Sequence, residues 1–132
     1  MANDVQSLQT ASKKIRYLGS AKSGVGAARA MHLTSVALIP LTIGFVWVLL
    51  SLIGQDYAGV RATLGHPLPA IVTLLFVGAG IYHMALGMRV IIDDYVHEHQ
   101  LKDWALMGNV FFSWVLGIAC VYSLLKLGFS AG

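Results

Sequence analysis

PAIVTLLFVGAGIYHMALGMRVII, Pro69 to Ile92, is the stretch on which the fold turns. It carries no charge before Arg89, and it exceeds the roughly 20 residues that an α-helix needs to cross a hydrocarbon core of about 30 Å. Such a segment is a membrane span. One histidine, His83, stands inside its charge-free part. A polar group at membrane depth needs a partner or a bound ligand, which makes His83 the first candidate functional residue.

The rest of the chain agrees with that reading. Charge-free windows run over Leu33–Gln55, Thr63–Met88 and Trp104–Leu125. Of the 132 residues, 57% are hydrophobic and 11% charged, with a mean hydropathy of +0.72. The charged share is under half the usual soluble value of about 25%. Three such windows leave no material for a soluble core. The expected fold is all-α and integral to the membrane, with spans at about 33–54, 69–93 and 104–126. Residues 1–27 form a polar N-terminal segment and 28–132 the three-helix anchor domain. The first apolar window is too long for a cleaved signal, so it is expected to be retained as a signal-anchor.

Charge sets the expected orientation. Lys13, Lys14, Arg16, Lys22 and Arg29 precede the first span against one acid, Asp4, and the loop after that span carries only Arg61. Basic residues stay on the inner side, which places the N-terminus in the cytoplasm or the mitochondrial matrix. The second loop, 93–103, then lies on the same side. The formal charge of +3 is membrane-flanking and implies a lipid surface and no nucleic acid.

The first helix is expected over about 28–54, after a break at Gly24 and Gly26, and tolerates Pro40 as membrane helices do. Residues 55–68 read as an outer loop closed by His66-Pro67 and Pro69, which suit a helix start. The second helix is expected over about 69–95 and the third over about 103–127. His97 and His99 read as a wet inner turn. Gly108, Ser113 and Gly117 read as helix-packing surface. Cys120 is the only cysteine. It excludes an internal disulfide and any self-contained cysteine-ligated cluster, and reads as a small packing residue.

At 100° per residue, Gly80, Gly87 and Asp94 lie about 60°, 40° and 20° from His83 round the helix. They form one stripe. Two glycines beside a histidine bare the backbone, admitting either a partner helix or a flat macrocycle. Neutral imidazole is a good iron ligand. Spacing alone leaves three roles for His83 open: an axial haem ligand, a helix-packing hydrogen bond, and a proton relay with Asp94.

The run His83-Met-Ala-Leu-Gly87-Met88-Arg-Val-Ile-Ile-Asp-Asp94-Tyr95-Val96 resembles the signature block of the succinate dehydrogenase hydrophobic membrane-anchor subunits, the D-type chain of respiratory complex II. Gly-Ser-Ala-Lys-Ser-Gly at 19–24 and Leu33-Thr34-Ser35 resemble further parts of that family, and the likeness covers about residues 17–127. The resemblance implies that His83 is an axial ligand of haem b, shared with a second, cytochrome b-type anchor. It implies that Asp94 and Tyr95 lie at a ubiquinone site next to the Fe–S subunit, with a flavoprotein subunit beyond it. Where the family often carries arginine before its Thr-Ser pair, this chain has His32, with Arg29 one turn earlier. The resemblance implies haem-propionate or quinone-side contacts for these two. The chain is then a non-catalytic part of an enzyme complex in a bacterial or mitochondrial inner membrane. A fumarate reductase anchor is one alternative. A small proton-coupled transporter or assembly scaffold without haem is the other.

Overall fold

A computed structural model describes residues 21–129, with side chains from residue 24. Lys13, Lys14 and Arg16, on which the orientation rests, lie outside the described residues, as does the side chain of Lys22. Among the described residues there are four helices and no strand: α1 (Ala21–Leu52), α2 (Tyr57–Gly65), α3 (Pro67–Tyr95) and α4 (His99–Phe129). Contacts divide the chain into two compact units, Met1–Ala30 and Met31–Gly132. The described part of the first is the opening of α1. The second holds the remainder of α1 together with α2, α3 and α4.

Three helices are long and apolar enough to span a membrane: Gly24–Leu52, Pro67–Tyr95 and His99–Phe129, with mean hydropathies of 2.2, 1.8 and 1.9. Only 6% of the most apolar window of each is buried within the chain. Among the described residues Val48 and Ile92 are the buried hydrophobic side chains, whereas Phe111, Trp114, Val115 and Ile118 all stand exposed. Apolar surface on that scale has to be covered by lipid or other protein. The packing inside the chain is therefore thin and local. Phe45 of α1 stacks on Phe76 of α3, ring centroids 4.2 Å apart. One step along, a Cβ on Gly44 would stand 3.0 Å from Val72 Cγ1, so the missing side chain is what admits α3 there. α4 packs along α3, and α2 touches both.

Several boundaries differ from the sequence reading, each for a local reason. Gly24 and Gly26 do not break the chain; α1 already begins at Ala21. Glycine costs about 1 kcal/mol in a helix interior, which the cooperativity of a helix of 32 residues outweighs. α1 runs through Pro40 and stops at Leu52, where Gly54 takes a positive φ of 78°. The loop expected over residues 55–68 holds a helix of nine residues, α2. Asp56 caps it by accepting from the Gly59 N–H at 2.8 Å. The Pro67 start of α3 fulfils the expectation from His66-Pro67. The loop between α3 and α4 shrinks to residues 96–98, because α4 begins at His99. His99 is thus helical, and His97 Nδ1 donates to the Tyr95 carbonyl at 3.1 Å.

Candidate functional site

His83 lies well inside α3 and is half-buried. Its Nδ1 stands 2.9 Å from Thr34 Oγ1 on α1, a contact between residues 49 apart in sequence. Thr34 Oγ1 also donates to the Met31 carbonyl at 3.0 Å. The histidine ring is thereby fastened at one nitrogen.

The glycines of its stripe are bare. A Cβ built on Gly80 or Gly87 meets nothing within 4 Å. This decides how well the residues suit a haem. A macrocycle needs a histidine with one free coordinating nitrogen and an open flank, and both are present on this face of α3. Among the described residues no group of three or more His, Cys, Asp or Glu is placed to hold a metal ion. An open apolar groove of ≈ 750 Å³ runs between α3 and α4, lined by Gly78, Ile81, Ala85, Trp114, Gly117 and Tyr122 among others. Ile81 and Ala85 lie about 160° from His83 round the helix. Groove and histidine therefore occupy opposite faces of α3. Gly108 and Gly117 do not pack helices within this chain, since a Cβ on either meets nothing within 4 Å. They line open grooves.

At the C-terminal end of α3 two adjacent acids part company. Asp93 Oδ1 stands 2.8 Å from Lys102 Nζ, and Asp93 Oδ2 stands 3.8 Å from Arg89 Nε, one turn back. Lys102 Nζ also donates to the Asp93 carbonyl at 3.3 Å. Asp93 is thus bound into the turn that joins α3 to α4. Asp94 and Tyr95 are exposed, Tyr95 to 79%. Twelve residues separate His83 from Tyr95, or about 18 Å of helix, so the two cannot serve one small ligand.

His32 is exposed on α1 and lies about 200° round the helix from Thr34, away from the α1 face that meets His83. Arg29, in the N-terminal unit, is exposed on the same helix. The sequence reading missed two participants. Asn109 Nδ2 donates to the Ala85 carbonyl at 2.9 Å, joining α4 to α3 two residues from His83. An amide inside an otherwise apolar window was the available signal. The other was Asp93, for which Arg89 at i−4 was the signal.

The fold defines a class: a multi-pass integral membrane chain of three spans. The chain belongs to the succinate dehydrogenase/fumarate reductase transmembrane subunit family, whose sequence model matches residues 6–118. It is 38% identical to the succinate dehydrogenase hydrophobic membrane anchor subunit of Paracoccus denitrificans, over 92% of this chain and 94% of that one. The subunits of the same description from Rickettsia conorii and Rickettsia bellii are 28% and 26% identical, each over 87% of this chain and 92% of theirs. No solved structure matches at a significant level.

Proposed function

We propose that this chain is a succinate dehydrogenase membrane anchor that helps hold haem b through His83 and forms part of a ubiquinone site with Asp94 and Tyr95. The observation that carries the reading is His83 itself: a histidine inside a span, fastened at Nδ1 and flanked by two glycines whose Cβ positions are open. Haem, when bound, supplies one-electron chemistry. The chain's own part is to ligate, to orient and to exclude water. Because it brings one such histidine, a second iron ligand would come from a cytochrome b-type partner anchor. Electrons arrive from an Fe–S subunit, itself supplied by the flavoprotein subunit that oxidises succinate.

At the inner end, the Tyr95 hydroxyl suits a hydrogen bond to a quinone carbonyl, stabilising the negative charge that develops there on reduction. Asp94, beside it and in water's reach, can hold or pass a proton. Asp93 is engaged with Lys102 and so leaves this work to its neighbour. Arg29 and His32, both exposed on α1, are the residues offered to propionates or to the quinone side from that helix. The basic N-terminal segment puts this end of the protein on the cytoplasmic or matrix side of an inner membrane.

The test is an optical spectrum of the purified complex containing this chain, with its subunits identified. A reduced low-spin haem b, lost in His83→Ala and absent from the isolated chain, is the expected result. An unaltered low-spin haem in His83→Ala would remove the ligand assignment, and a complex with no Soret band would favour a haem-free scaffold. The family also includes fumarate reductase subunits. The ratio of succinate oxidation to fumarate reduction by the same preparation separates those two.

A further inference from the structure

We propose that Thr34 is the positioning residue for His83, holding its imidazole as the Nδ1–H tautomer and thereby setting the reduction potential of the iron that Nε2 would bind. This deepens, and rests on, the reading of His83 as a haem ligand.

A hydroxyl has one proton, and Thr34 Oγ1 directs it to the Met31 carbonyl, 3.0 Å away. Toward His83 Nδ1, at 2.9 Å, the oxygen can then present only a lone pair. Nδ1 must donate. A neutral imidazole carries one N–H and one lone pair, so the lone pair falls on Nε2, the form a metal requires. The reverse tautomer would set the Nδ1 lone pair against that of the hydroxyl and turn an N–H toward iron.

Hydroxyls in helices commonly back-bond to the preceding turn without further purpose. Ser35 does so to the Met31 carbonyl at 2.8 Å and Thr42 to the Leu38 carbonyl at 2.6 Å, and both are exposed. Thr34 differs. It is half-buried and reaches a second helix. The back-bond to the Met31 carbonyl holds the hydroxyl in one rotamer, so the acceptor stays where the ring needs it. A hydrogen bond donated by the outer nitrogen of a metal-bound histidine makes the inner nitrogen more basic. A more basic ligand favours ferric over ferrous iron.

Thr34→Val keeps the shape and removes the acceptor. In the assembled complex it should weaken the ferric preference about tenfold, raising the midpoint potential by ~59 mV for one electron. Thr34→Ser should restore the wild-type potential. Succinate oxidation by a flavin-level artificial acceptor should be unchanged throughout. A wild-type potential in Thr34→Val would overturn the proposal. Thr34→Ala, which cannot clash, replaces Thr34→Val if the latter does not assemble. Failure of both to assemble beside a normal Thr34→Ser would assign Thr34 to folding and overturn it equally. His83→Ala keeps the two ideas apart. If low-spin haem survives that change, the ligand reading fails. If it is lost while Thr34→Val keeps its potential, only the role of Thr34 fails.

Discussion

Asn109 Nδ2 donates to the Ala85 carbonyl at 2.9 Å, so α4 grips α3 two residues beyond the histidine. The same Asn109 accepts at its own carbonyl from Ser113 Oγ at 2.8 Å. Side-chain hydrogen bonds between membrane helices contribute about 0.6 kcal/mol on average and about 1.7 at most. Asn109→Leu should accordingly lower the thermal stability of the complex modestly, by about 1 kcal/mol, with assembly intact. Thermal release of haem from the purified complex measures it. A melting curve superimposable on wild type would mean that the bond contributes nothing.

Gly87 probes what lies against the histidine face. Nothing in this chain lies within 4 Å of a Cβ at that position, so a side chain placed on Gly87 starts into space that this chain leaves open. Haem content and assembly with the partner anchor should nonetheless fall together, because the new side chain enters the space the macrocycle needs. The pyridine haemochrome content per complex is the measurement. Full occupancy would show that this face meets lipid.

Tyr95→Phe removes one hydroxyl and little volume about 18 Å along the helix from His83. Loss of a hydrogen bond that strengthens in the transition state costs on the order of 10²-fold in rate. Quinone reduction should drop by about that factor while the haem spectrum and succinate oxidation by a flavin-level acceptor persist. Unchanged quinone reductase activity would make Tyr95 an interfacial belt aromatic.

The two neighbouring acids should behave differently. The Asp93–Lys102 pair is partly exposed, its side chains at 41% and 31%, and such pairs contribute roughly 0.2–1 kcal/mol. Asp93→Asn should therefore cost a little stability and leave quinone reduction near wild type. Asp94→Asn should lower quinone reduction with no loss of stability. Steady-state quinone reductase assays beside thermal melts check both, and equal kinetic losses in the two variants would end the distinction.

What the sequence alone determined is local. Apolar length and the absence of charge define three spans, the intervening lengths make neighbours antiparallel, and His83 falls inside the second span whatever the packing. The His83-to-Tyr95 block and its family likeness are also visible there, since they lie on one continuous helix. Tertiary structure decided which residues face one another. Thr34 meeting His83, Asn109 meeting Ala85, and Asp93 rather than Asp94 meeting Lys102 all join separate helices. Helices that are apolar on nearly every side carry little amphipathic signal to set their rotation. Their mutual facing is set by close steps such as Gly44 against Val72 and by a few polar contacts between helices. The helix α2 was hidden for a different reason. Its order depends on a cap at Asp56 and on packing against α3 and α4, and nine residues are too few to be helical in isolation.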